Sequence, residues 1–158
     1  MLAKYISKQE LFKAAIWFFG SIGLVFLISK QIHFLISETD SIPQHYFLQI
    51  LKIKPEINDY TVVFSDWYHG KIIKKIIGVT GCRIWYDQNN QMFVNDFKVG
   101  VPLSVAADGR SLHPTPAQII PQGYVFLYSE HIKSFDSRYQ ELGLVPLSKL
   151  QGLVIPLI

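Results

Sequence analysis

Lys71-Ile72-Ile73-Lys74-Lys75-Ile76-Ile77 is the stretch on which the reading of the fold turns. Its four isoleucines are β-branched and favour extended backbone, and as a strand the run points alternate side chains to opposite faces. Lys71 and Lys75 then share a face with Ile73 and Ile77, whereas Lys74 stands alone between Ile72 and Ile76. The sequence around it has the same character. From Tyr60 onward, β-branched and aromatic residues are broken at short intervals by Gly, Asn, Asp and Pro, which predicts strands over Tyr60–Phe64, Lys71–Ile77, Arg83–Tyr86, Gln91–Val94, Tyr124–Tyr128 and Leu153–Pro156. Asn89-Asn90 supplies a hairpin turn between two of them. Pro102–Pro121 is polar and proline-bearing and reads as a surface loop or small excursion. The pattern is mainly β.

Upstream the chain changes. Leu11–Ile28 is a run of eighteen residues interrupted by one charge, Lys13, which is long enough to cross a bilayer, and Lys13 is near enough to its start to reach the headgroups. It accounts for much of a hydrophobic share of 49% and a mean hydropathy of +0.22. A cleaved secretory signal fits less well, because no small-residue cleavage site follows and the apolar character resumes at Ile32–Ile36. Lys4, Lys8 and Lys13 are opposed before the span only by Glu10. The positive-inside rule therefore puts the N-terminus in the cytoplasm. The 158 residues divide into an N-terminus and transmembrane anchor over 1–36 and an extracytoplasmic domain over 37–158, with one hydrophobic core.

Charge and cysteine content exclude other classes. A net charge of +3 without an Arg-rich, aromatic-interleaved patch gives no support for a nucleic-acid partner. One cysteine, Cys82, rules out an internal disulfide, and the five scattered histidines show no metal-ligand spacing, so no metal or other cofactor is expected. A Cys82–His enzyme lacks an electropositive setting for the thiol.

Two residues could carry chemistry. A solvated lysine has a pKa of about 10.4, but burial disfavours the ammonium and can lower that by several units, turning a lysine into a base. Lys74, flanked by isoleucines, is the candidate; an edge strand guarded by lysines is the competing reading. In Thr39-Asp40-Ser41-Ile42-Pro43 the proline favours an extended loop that presents Ser41. An ordinary polar linker explains the segment equally well, and spacing alone does not bring Ser41 to Lys74.

Three segments in order resemble the type I signal peptidases, most closely the TraF-type peptidases of conjugative transfer. Ser37-Glu38-Thr39-Asp40-Ser41-Ile42-Pro43 is similar to the nucleophile box. Lys74-Lys75-Ile76-Ile77-Gly78-Val79-Thr80-Gly81 is similar to the lysine box. Ser134-Phe135-Asp136-Ser137-Arg138-Tyr139 is similar to the Ser-x-Asp-Ser-Arg box. The resemblance implies a signal-peptidase-like β domain, mainly β, behind one N-terminal transmembrane helix. It also implies that Ser41 is the nucleophile and Lys74 the general base, that the Ser41 amide and Thr39 hydroxyl hold the oxyanion, that Ser134 aims the amine, and that Asp136 and Arg138 form a supporting ion pair.

Several positions depart from the family pattern. Cys82 stands where aspartate is usual, Asn58-Asp59 where Gly-Asp is usual, Tyr128-Ser129-Glu130 replaces Gly-Asp-Asn, and Gln140-Glu141-Leu142 fills a slot for one aromatic residue. These departures favour a dedicated precursor, a conjugative pilin, over general secretory proteins; joining of pilin ends into a ring is a further activity of some TraF-type enzymes. The implied setting is a bacterial inner membrane, with lipid as a partner, one span and a periplasmic catalytic domain. Ser41 lies about a dozen residues past the span, too few to carry it far from the bilayer. A general signal peptidase and a non-catalytic membrane-tethered β module of a secretion or conjugation machine are the rival functions. Oligomeric state is not legible.

Overall fold

The computed structural model describes residues 8–37 and 41–157. Lys8–Ser29 is one α-helix, α1, with no buried residue, and it is long and apolar enough to cross a membrane. Its two interior hydroxyls do not break the ladder: Ser21 Oγ donates to the Phe18 carbonyl at 2.8 Å and Ser29 Oγ to that of Phe26 at 2.9 Å. A hydroxyl bonded back to its own helix needs no water, which suits an apolar surrounding.

Among the described residues eleven strands follow, all paired antiparallel. Seven form one sheet: β1 (Ile32–Ile36), β2 (Tyr46–Ile50), β3 (Tyr60–Ser65), β4 (Gly70–Gly78), β9 (Tyr124–Tyr128), β10 (Val145–Pro146) and β11 (Leu153–Pro156), in the order β1-β2-β11-β3-β4-β9-β10. The other four, β5 (Arg83–Tyr86), β6 (Met92–Val94), β7 (Phe97–Gly100) and β8 (Gln118–Ile119), form a second sheet in the order β7-β6-β5-β8. The six predicted strands are present. The Asn89-Asn90 turn is built on Asp87, whose Oδ1 accepts from the amides of Asn89 and Gln91, with Asn90 at φ 58°.

Two segments differ from expectation, and Lys74 decides between two readings. Ile32–Ile36, read as the tail of the anchor, is a strand paired with β2 from Ile32↔Ile50 to Ile36↔Tyr46. Its apolar character, interrupted only by His33, concealed the switch from helix to strand that occurs at Lys30-Gln31. Pro102–Pro121, read as a surface excursion, sends Leu112, Thr115 and Ile120 into the interior and contributes β8. Lys74 is the buried lysine expected and no solvated edge guard, because it is 3% exposed, on a strand that pairs with β3 from Gly70 to Lys75 and with β9 from Lys75 onward.

The core lies where the sheets meet. Ile77 of β4 and Phe126 and Tyr128 of β9 pack against Ile84, Met92, Val94 and Val99 of the small sheet. A second cluster, Ile42, Phe47, Val62 and Val154, pins the start of the β domain to β3 and β11. β11 can enter between β2 and β3 only because position 152 lacks a side chain. Gly152 sits at φ +79°, and a Cβ there would meet the backbone of Ile50 and Leu51 at distances no Cβ tolerates. Gly152→Ala is therefore expected to destabilise the fold by more than about 2 kcal/mol, combining strain at positive φ with a backbone clash. Urea denaturation of the purified protein reads this out; an unchanged midpoint would refute it.

Candidate active site

β4 carries Lys74 into the interior because the residues around it are suited to burial: Ile76, Ile77 and Gly78 are buried, and Thr61 lies opposite Lys74 on β3. The amine is satisfied by two hydroxyls. Lys74 Nζ donates to Ser134 Oγ and to Ser129 Oγ, each at 2.7 Å. The amine is brought down from 10.5 to about 8, chiefly by burial, with the Asp136 carboxylate acting to raise it and the Arg138 guanidinium to lower it.

Both serines sit on a loop whose backbone is tied from below by Arg138. Arg138 and Asp136 are fully buried and meet through two parallel contacts, Nε to Oδ1 and Nη2 to Oδ2, both at 2.8 Å. Asp136 Oδ2 also accepts from the Ser129 amide at 3.0 Å. Arg138 Nη2 reaches the carbonyls of His131 and Ser134 at 3.1 Å. Ser137 completes the clamp: its Oγ accepts from the Leu127 amide of β9 and donates to the Gly143 carbonyl. The stretch 102–121 backs the segment from the other side, with the Thr115 amide donating to the Arg138 carbonyl at 2.8 Å and its hydroxyl to that of Ser137 at 2.9 Å.

Ser41 is brought to the same place. Ile42 is buried among Phe47, Val62 and Val154, so the residue before it is held at a fixed point on the sheet. Ser41, Lys74 and Ser134 line one cavity of about 460 Å³, with Ile36, Ile73 and Phe135 among its walls. Thr39, expected to help hold the oxyanion, lies outside the described residues. A nucleophile candidate, a dry amine and an apolar cleft open to solvent make acyl transfer the chemistry this arrangement can perform.

The site also holds groups that sequence reading passed over. Ser129 registered only as a departure from Gly-Asp-Asn, although it is a direct partner of the amine. Phe135 is stacked on Trp67 at 4.8 Å, and Arg110 covers the other ring surface of Trp67 at 3.6 Å. The only signal for that stack was the aromatic content of Trp67-Tyr68, which also reads as ordinary core.

A family model for signal peptidase, peptidase S26, matches residues 9–157. Conjugal transfer protein TraF of Agrobacterium fabrum is 30% identical over 92 residues, 57% of this chain and 49% of that protein. A protein of Sinorhizobium fredii named "Probable conjugal transfer protein TraF" is 36% identical over 86 residues, 52% of this chain and 43% of that protein. The chain thus spans about half the length of the curated relatives it matches. Among solved structures, a signal peptidase I of Enterococcus faecalis aligns with 63% of this chain and 96% of its own, at 20% identity and a TM-score of 0.40. With the family model matching nearly from end to end, the chain belongs to the S26 signal peptidase family.

Proposed function

We propose that the protein is a membrane-anchored serine endopeptidase in which Ser41 is the nucleophile and Lys74 the general base. The observation that carries this reading is a buried amine, lowered to about 8 and held by two hydroxyls, that shares a cavity with a serine. Ser41 Oγ attacks the scissile carbonyl while Lys74 takes its proton, and the resulting ammonium delivers that proton to the leaving amine. The Ser41 amide and the Thr39 hydroxyl hold the oxyanion, at about 3 kcal/mol per donor. Water then attacks the acyl-enzyme; attack by a peptide amine instead would join two ends.

The substrate binds as an added strand. From Gly70 to Lys74, β4 pairs with β3 alone among the described residues, because β9 pairs only from Lys75. An extended peptide laid along that open edge gains main-chain hydrogen bonds and passes the cavity with its scissile bond beside Ser41. The likeness to the conjugal transfer proteins supports a role in a conjugation system, and the substrate in this reading is an exported precursor of that system, a pilin subunit.

α1 anchors the protein in the inner membrane with its N-terminus in the cytoplasm, and the β domain works in the periplasm against the bilayer surface. Phe34 and Ile36 of β1, and Leu51 and Ile53 in the turn after β2, are exposed near the end of α1, where lipid headgroups and acyl chains would cover them.

Co-expression with a candidate pilin precursor, followed by N-terminal sequencing of the subunit, tests this. Ser41→Ala and Lys74→Arg are each expected to leave the precursor uncut while the protein stays folded and membrane-bound, since alanine has no hydroxyl and guanidinium stays protonated. Normal maturation by Ser41→Ala would make the chain a non-catalytic tethered module instead. Maturation of unrelated exported proteins would make it a general signal peptidase.

A further inference from the structure

The tetrahedral geometry of an amine limits what Lys74 can do with its neighbours. As an ammonium it has three N–H bonds, of which Ser129 Oγ and Ser134 Oγ accept two at 2.7 Å each. One N–H then remains, directed away from both hydroxyls, on a residue that lines the same cavity as Ser41. When a proton leaves, it is this one, because the other two are held in buried hydrogen bonds. The lone pair so exposed points the same way. With a single hydroxyl partner the terminal C–N bond could turn and place an N–H where the lone pair is needed.

We propose that Ser129 is a positioning residue for the base, completing with Ser134 a pair of acceptors that leaves the Lys74 lone pair only the direction of Ser41. The proposal rests on the reading of Lys74 as the general base. Ser129 is itself held firmly in place, since its amide donates to Asp136 Oδ2 at 3.0 Å, its carbonyl lies 3.4 Å from Arg138 Nη2, and the residue is 2% exposed. A hydroxyl at this position supplies an acceptor without the charge that would favour the ammonium.

The full-length protein in detergent, assayed with the p-nitrophenyl ester of N-acetyl-alanyl-alanine, tests this. A burst of nitrophenol reports acylation of Ser41 directly. Ser129→Ala is expected to slow the burst rate constant about 10- to 30-fold at saturating ester, with the half-saturating ester concentration within about twofold of wild type. Its acid limb should move to lower pH, because the ammonium loses an acceptor while Asp136 and Arg138, the charged groups acting on the amine, are unchanged. Ser129→Thr, which keeps the hydroxyl, should recover most of the rate. A Ser129→Ala protein with wild-type rate and pH profile would overturn the proposal, as would a Thr variant as slow as Ala with an equal urea midpoint. Lys74→Ala separates the two levels: if it retains the burst, or if the wild type shows none, the peptidase reading itself has failed. If Lys74→Ala is inactive and Ser129→Ala keeps the wild-type rate and pH profile, only the role of Ser129 has.

Discussion

Lys74→Met is expected to abolish acylation of Ser41 and at the same time to raise the stability of the fold at neutral pH. Moving the amine from 10.5 down to about 8 costs the folded state about 3 kcal/mol wherever both states hold the proton. Below pH 8 that penalty is fully present. As pH rises, the folded protein releases its proton first while the unfolded chain keeps one up to 10.5, so the penalty shrinks and is gone above 10.5. Methionine fills the same space without it. The variant leaves the hydroxyls of Ser129 and Ser134 short of a partner, at about 1 kcal/mol each, so the net gain at pH 7 is about 1 kcal/mol. Urea denaturation across pH shows the sign: the variant should be the more stable protein at pH 6–7 and the less stable one near pH 10.5. A variant less stable than wild type at pH 6 would mean that the amine is not under the burial stress described. Activity lost together with stability gained is the signature of a group kept for chemistry rather than for folding.

How much of this was legible in the sequence follows from what sequence encodes. Strands with alternating or β-branched runs, such as Lys71–Ile77, were readable because their periodicity is local. The apolar span was readable for the same reason. Ile32–Ile36 was not, since five mostly apolar residues so soon after an apolar helix are too short to show a period, and the strand is set by pairing with β2, a separate segment further along the chain. Pro102–Pro121 failed similarly: its polarity is real, but Leu112 and Thr115 are drawn inward by contacts with Phe135, Tyr139 and the Arg138 carbonyl. At the site, Lys74 and Ser41 were chemically suggestive residues whose meeting depends on tertiary structure, and only the resemblance linked them. Ser129 offered no local signal, because a serine in a loop looks the same whether or not an amine lies 2.7 Å away.

Arg138→Met should be the most damaging single change to the fold. It removes the partner of Asp136, which is 0% exposed, and a buried carboxylate left without its cation typically costs about 3–5 kcal/mol. It also frees the carbonyls of His131 and Ser134, each 3.1 Å from the lost Nη2, so the loop that presents both hydroxyls to Lys74 loses its anchor. The effects on folding and on catalysis can be separated. In the double variant Asp136→Asn, Arg138→Met the unpaired charge is gone, and the amide can still accept the Ser129 N–H, so roughly half of the lost stability should return. The acylation rate should not, and is expected to stay more than about 100-fold below wild type, because nothing restores the donors under the loop. If the double variant acylated at near wild-type rate, the pair would serve the fold alone, and the loop would keep its shape through Ser137 and the stretch 102–121 without help from the guanidinium.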